Sequence, residues 1–259
     1  GRSIGPMVLD DEDAWALKHL GLEVGGRLEF QLESSDFRPQ TGASQVVKLQ
    51  IVDASTLIKE LNTRQQNLRQ ELERVLDKER ETKYATLDRM NVFADKKAFT
   101  AEDLEQFAAL ERRQRSFVAK VQFVAEQFEE IRLQMKYNQL YEEDIYNGLI
   151  RDEVVKPLQY LSTGPLLATA HKFGDYAAGA LPGDVADDLL KIAGTLDEIV
   201  EILSQVLSRV VRLEKFGEII VRVKQIYEEE RKLLEDAKKI YVDSISDDIF
   251  EEEKPGEKK

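Results

Sequence analysis

The sequence contains no cysteine, and it has only two histidines, six prolines and one tryptophan among its 259 residues. Without cysteine the chain forms no disulfide, offers no thiolate to a metal ion and has no cysteine nucleophile. A chain without cysteine fits any cellular compartment, so this absence does not predict where the protein works.

Sequence motifs of catalysis and cofactor binding are also missing. Di-iron helical bundles use Glu-x-x-His motifs, but neither His19 nor His171 follows a glutamate at that spacing. No serine lies in a Gly-x-Ser-x-Gly elbow between a predicted strand and a predicted helix, and the glycine-rich loops that hold phosphate groups are absent. We therefore predict no catalytic residue, no metal ligand and no cofactor, and we expect that the protein is not an enzyme.

The chain has no long hydrophobic run and no basic patch. The most apolar candidate for a membrane span, residues 166–181, is interrupted by His171, Lys172 and Asp175. The formal net charge is -13, and the basic residues are spread among acidic ones. Because a phosphate-binding surface needs clustered Lys and Arg, we expect neither nucleic-acid binding nor direct membrane insertion by this fragment.

Apolar residues recur at alternating steps of four and three in three long stretches, a period that keeps one face of a helix against a partner helix. The clearest stretch begins at Val185, and its apolar positions are Val185, Leu189, Ile192, Leu196, Ile199, Leu203, Val206, Val210 and Leu213. After it, the seam continues in a slightly shifted register to Ile240. Residues 214–217 are either a turn between two helices or part of one continuous helix.

Two further helices precede this one. The first is predicted from about Ser55 to Asn91, with a polar part, residues 78–86, that projects or frays. Here Glu79 precedes Lys83 by four residues, the spacing of an exposed ion pair on a helix. The second helix begins at Thr100, where Thr100 and Asp103 can form a capping box. Residues 142–181 contain several Gly and Pro residues, which predict shorter helices with kinks.

The first fifty residues follow a period of two instead, which is typical of half-buried strands. Strands are predicted near residues 27–33 and 44–52. Because two strands alone are marginally stable, they either lie against the helices or are the last strands of a β-sandwich, and we favour the sandwich. The predicted organisation is a partial sandwich-like element over 1–53, a helical bundle over 54–243 and a disordered acidic and polar tail over 244–259.

Four polar residues occupy seam positions: Gln65, Gln114, Asn138 and Glu230. A polar residue in the core of a coiled coil can fix the register or the number of partners at a cost in stability. The alternative is that these positions lie near helix ends or open to water. The aromatic-rich region 137–181, which includes Tyr137 and His171, is either ordinary core or part of an interaction surface or pocket.

Part of the sequence resembles a known group of proteins. Residues 20–30 read Leu-Gly-Leu-Glu-Val-Gly-Gly-Arg-Leu-Glu-Phe, and Ser35-Asp36-Phe37-Arg38-Pro39, residues 47–52 and residues 61–69 follow. These segments, about a quarter of the chain, resemble large uncharacterised bacterial membrane-anchored envelope proteins, in which extracytoplasmic immunoglobulin-like domains lead into a long helical region. The group has Asp-Asn before the turn, where this sequence has Asp36-Phe37.

The resemblance implies a fragment without its anchor on the extracytoplasmic or periplasmic side of a bacterial membrane, and it implies no activity or site residue. A cytoplasmic location is the alternative. The opening residues 1–6 are interpreted as an expression remnant or a cut within a longer protein.

The fold class that we predict is mainly α: an antiparallel bundle of long coiled-coil-like helices with a small N-terminal antiparallel β element. The expected function is that of a non-catalytic spacer or docking region of a larger envelope protein, which binds a protein partner or a second copy through helix faces. The alternative is a regulatory helical module that accepts a partner helix or self-associates.

Overall fold

A computed structural model describes residues 21–31, 33–35, 41–93, 99–180 and 184–251. The predicted fold class is confirmed, because long helices pack side by side as a bundle and a small antiparallel β element precedes them. The helices are α1 (Ala54–Phe93), α2 (Ala101–Tyr137), a π-helix (Asp144–Val155), α3 (Lys156–Thr163), α4 (Pro165–Ala177) and α5 (Val185–Glu251).

The first two helices begin at side-chain caps. At α1, Asp53 Oδ1 accepts a hydrogen bond from the backbone N–H of Thr56 at 2.9 Å. At α2 the predicted capping box is confirmed: Asp103 N–H donates to Thr100 Oγ1, and Thr100 N–H donates to Asp103 Oδ2. Each cap satisfies backbone N–H groups that have no partner within the helix.

The polar second half of α1 neither projects nor frays, so that prediction is wrong. Glu79, Thr82 and Thr86 are buried, and they continue the four-and-three spacing of the apolar seam before them. Both threonines reach the core because each hydroxyl donates to a backbone carbonyl one turn earlier, Thr82 to Lys78 and Thr86 to Thr82.

The predicted short and kinked helices are confirmed between α2 and α5. The π-helix leads directly into α3, and Gly164 separates α3 from α4. Pro165 lies in the first turn of α4, where its missing N–H leaves no hydrogen bond unmade.

Helix α5 passes through residues 214–217 without a turn, which decides between the two alternatives left by the sequence. Its 67 residues make it about 100 Å long. Gly217 packs against the side chain of Asn62 on α1, so the two helices approach closely there and no Cβ would fit without a shift. α5 is helical to Glu251, within the predicted tail, and residues 252–259 lie outside the described part.

The strands form two short antiparallel pairs. β1 (Arg27–Phe30) pairs with β4 (Val47–Gln50), with Leu28 opposite Leu49, and both lie within the predicted strand ranges. β2 (Glu33–Ser35) pairs with β3 (Thr41–Ala43). Among the described residues these strands contact only one another and no helix. Their origin in a β-sandwich stays a prediction.

One continuous hydrophobic core joins the helices. α1 and α5 run antiparallel along their seams, and Arg69 of α1 pairs with Glu214 of α5, with 3.0 Å between Nε and Oε1. α2 packs against α1 on one side and against the π-helix, α3 and α4 on the other. Every apolar member of the predicted α5 seam from Val185 to Leu213 is buried.

Two neighbouring leucines on α5 test the energetic weight of this seam. Leu189 is fully buried, whereas Leu190 is 54% exposed. We expect Leu189→Ala to lower the free energy of unfolding by about 2–5 kcal/mol, because it removes buried methyl groups and leaves a cavity. Leu190→Ala is the matched control and is expected to change it by less than about 0.5 kcal/mol. Urea denaturation of both variants measures the difference, and equal losses would contradict the assigned register.

Candidate interaction surface

The structure separates the four polar seam residues into two pairs. Gln65 and Gln114 are fully buried within the bundle. Asn138 follows the last residue of α2, is exposed, and donates from Nδ2 to the backbone carbonyl of Gln134 at 2.8 Å. Glu230 is exposed on the far half of α5. The register-setting hypothesis therefore applies inside the bundle only to Gln65 and Gln114.

The buried polar layer contains one residue that the sequence analysis placed elsewhere. Glu79 is fully buried, and its Oε2 accepts a hydrogen bond from Gln114 Nε2 at 2.8 Å. Desolvation by burial raises the pKa of Glu79 to about 7, although the Gln114 hydrogen bond and the charge of Arg113 act in the opposite direction. A buried carboxyl with such a pKa is often functional, but structural networks show it too.

The expected Glu79–Lys83 ion pair is wrong, because Glu79 points into the core and Lys83 pairs with Asp197 of α5. Glu111 and Arg115 have the same spacing on α2, and there the ion pair does form, with 2.8 Å between Oε1 and Nε. A spacing of four residues therefore predicts an ion pair only where both residues lie on the solvent face.

The aromatic-rich region is mostly core. Phe173 and Tyr176 of α4 pack against Phe107 of α2, and the Tyr176 hydroxyl donates to Asp188 Oδ2 at 2.7 Å. Burial and this hydrogen bond raise the pKa of Tyr176. His171 is exposed and borders only a shallow surface depression with Pro165.

Two further properties of the described ranges bear on the possible chemistry. No three His, Cys, Asp or Glu side chains in the described ranges come together in a group that could hold a metal ion. None of the described helices is both long enough and apolar enough to cross a membrane.

The longest exposed segment in the described part of the chain is the far half of α5. From Arg222 to Tyr241 every residue is exposed, and among the described elements α1 borders this helix only as far as Glu229. This segment nevertheless carries large apolar side chains, of which Leu233 is 68% and Ile240 70% exposed. We call the apolar residues on this face of α5, including two in the turn before Arg222, the distal stripe: Ile219, Ile220, Val223, Ile226, Tyr227, Leu233, Leu234, Ala237, Ile240 and Tyr241.

The centre of the distal stripe faces away from α1, whereas two of its edge residues, Ile226 and Tyr227, border the grooves beside that helix. Val221 and Gln225 line both grooves, and each groove also includes one of these two stripe residues. On a helix, Val221 and Gln225 lie opposite Val223. α1 therefore borders α5 as far as Glu229, and the stripe residues from Leu233 onward lie beyond it.

The sequence analysis found part of this stripe. The shifted seam contains Ile219, Val223, Ile226, Leu233 and Ile240, but it omits the residue that follows each isoleucine or leucine of the seam. Those residues form doublets with a period of seven, namely 219–220, 226–227, 233–234 and 240–241. These doublets add a third heptad position to the two of the seam, so the sequence itself indicates a wider apolar face than the seam alone.

Comparison with known proteins adds no assignment. No protein-family model matches the sequence, and no curated protein is significantly similar to it.

The raised pKa of Glu79 generates a prediction about pH. The folded pKa, about 7, lies above the ordinary glutamate pKa of 4.5, so between these pH values the folded state holds a proton that the unfolded state releases. Stability from this group is complete below pH 4.5 and falls as the pH rises to 7. We expect Glu79→Gln to be about 3 kcal/mol more stable than the natural chain above pH 8, with the advantage vanishing near pH 4.

Denaturation with urea across this pH range measures the effect. Glu60→Gln is the control, because Glu60 is an exposed residue of the same helix and its substitution is expected to change stability by less than about 0.5 kcal/mol. A constant difference between Glu79→Gln and the natural chain at all pH values would show that folding does not shift the pKa of Glu79.

Gln65 tests the register-setting hypothesis. Neither polar atom of its buried amide has a hydrogen-bond partner among the described residues. We expect Gln65→Leu to raise the free energy of unfolding by about 1–3 kcal/mol, because it removes an unsatisfied buried group. If Gln65 fixes the register of the helices, the variant will also show several sets of amide resonances in NMR spectra. A more stable variant with a single set of amide resonances would show that Gln65 does not fix the register of the helices.

Proposed function

We propose that this protein is a non-catalytic interaction module in which the helical bundle is a rigid base and the far half of α5 is the docking element. The observation that carries the proposal is the distal stripe, a row of large apolar side chains along a projecting helix. Monomeric proteins rarely leave a continuous apolar surface of this kind open to water, and such surfaces mark interaction sites.

The energetics of an isolated helix support the proposal. The segment from Arg222 to Glu251 is about 45 Å long, and among the described elements α1 borders it only as far as Glu229. Helices in proteins are stabilised mainly by burial of an amphipathic face, and a lone helix in water is marginal. A partner on the distal stripe would supply that burial, at about 1.5–3 kcal/mol for each fully covered Leu or Ile.

The packing of the bundle favours docking outside it over opening of it. The seams of α1, α2 and α5 fill the core with their own side chains, including Leu61, Phe128 and Leu203, which are fully buried. A partner helix that entered the bundle would have to displace these contacts, whereas the distal stripe is already exposed. A setting in a bacterial envelope protein stays a prediction that rests on the sequence resemblance.

Photo-crosslinking in cells that produce the protein tests the docking role. A crosslinkable phenylalanine analogue replaces Leu233 on the distal stripe or, in the matched control, its neighbour Lys232 on the opposite face. We expect Leu233 to give a discrete crosslinked species, identified by mass spectrometry as a second copy or another protein, and Lys232 to give little. Equal yields at both positions, or none at Leu233, would contradict the proposal.

A further inference from the structure

We infer that the partner of the distal stripe is a second copy of this chain and that the two α5 helices pair in parallel beyond the bundle. This inference rests on the proposed docking role and adds the identity and the direction of the partner. It follows from the heptad pattern of the stripe and from the charges beside it.

The first step is the heptad assignment. Val223, Glu230 and Ala237 are assigned to position a. The first member of each doublet then falls at d, and the second member falls at e. Position a then lies at the centre of the apolar face, with d and e on either side. A regular seven-residue period over four doublets is the pattern of a helix that winds around another helix of the same repeat.

The second step is the charge on each flank of the stripe. One flank is position b, which carries Lys224, Arg231 and Lys238 and is therefore entirely basic over these heptads. The other flank is position g, which carries Glu229 and Asp236 after Arg222. Positions b and g lie at equal angles from the centre of the apolar face, so the stripe has one basic and one acidic edge.

The edges decide the direction of pairing. When two identical helices pair in parallel about a twofold axis, the b edge of one lies beside the g edge of the other. Arg231 then faces the partner copy's acidic edge near position 229, and Lys238 faces it near position 236, each offset by about 3 Å along the axis. An antiparallel pair places acidic against acidic and basic against basic, which is unfavourable.

The existing contacts of these side chains leave them available. Arg231 Nε is 3.7 Å from Glu235 Oε1 on its own helix, and both residues are 60% exposed, so this ion pair is weak. Glu229 Oε1 accepts a hydrogen bond from Gln225 Nε2 at 3.0 Å on the exposed surface. Neither contact buries the charged groups or fixes them in place.

Glu230 and α1 set the alignment of the two copies. Glu230 interrupts the apolar centre of the stripe at one a position. In register, the two glutamates repel each other within a single layer, a cost that an antiparallel pair centred on Glu230 would share. A shift of one heptad would instead place each glutamate against an apolar layer and so disturb two layers. α1 lies opposite the centre of the stripe and borders its edges at Ile226 and Tyr227, so the stripe beyond Glu229 is accessible to a second copy.

Sedimentation equilibrium of the full chain tests self-association. We expect a dimer whose dissociation constant rises at least about tenfold on Leu233→Gln and increases with salt concentration, because the flanking charges are exposed. Lys232→Gln is the matched control on the opposite face and is expected to leave the constant within about twofold. Circular dichroism checks that both variants keep a folded bundle, since both positions lie beyond it.

Disulfide trapping tests the direction, and the absence of cysteine makes every single-cysteine variant unambiguous. In the parallel pair, Val223→Cys and Ala237→Cys each form a disulfide-linked dimer alone. In an antiparallel pair centred on Glu230, each cysteine would lie about 21 Å from its own copy, and only a mixture of the two variants would crosslink. Glu228→Cys, on the opposite face, is expected to form no disulfide-linked dimer.

Three results would overturn the inference: a monomer at every concentration, a dimer unaffected by Leu233→Gln, or crosslinking only in the mixture of variants. A photo-crosslink from Leu233 to a different protein, together with a monomeric purified chain, would overturn self-pairing but leave the docking role standing. If Leu233 gives no crosslinked species and the purified chain forms no dimer, both the docking role and the self-pairing are wrong.

Discussion

The antiparallel seam between α1 and α5 is the interaction on which the other packing depends. It buries a row of apolar side chains from Leu61 to Val75 on α1 against the row that ends at Leu213 on α5. The seam also sets the positions of the helices around it, because α2 packs on α1 and the π-helix, α3 and α4 close the core against α2 and α5. Beyond Glu229, where α1 no longer borders it, α5 continues with an exposed apolar face that no other described element covers.

Apolar periodicity was sufficient to predict most of the bundle. The seams of α2 and α5 lie where the spacing placed them, and the start of α2 follows from Thr100 and Asp103, whose capping is a local interaction. The two longer strands also follow from local alternation. These features share one property, which is that neighbouring residues along the chain determine them.

The features that the sequence analysis missed depend on other parts of the chain. Glu79, Thr82 and Thr86 are polar, and only the heptad count carried through them shows that they face the core. Residues 214–217 continue as helix, with α1 close beside Gly217, and no local pattern in the sequence shows that approach. The width of the distal stripe was visible in the sequence as doublets, but its exposure depends on where the neighbouring helices stop.

The continuity of α5 couples two regions that would otherwise be independent. One half of the helix supplies the bundle core, and the other half carries the distal stripe, with unbroken backbone hydrogen bonding between them. Helix formation is cooperative, so order propagates along the axis in both directions. Any molecule that holds the outer half therefore suppresses fraying at the adjacent end of the bundle and raises its thermal stability by mass action. Binding at the outer half of α5 therefore stabilises the bundle core without a conformational change in the bundle.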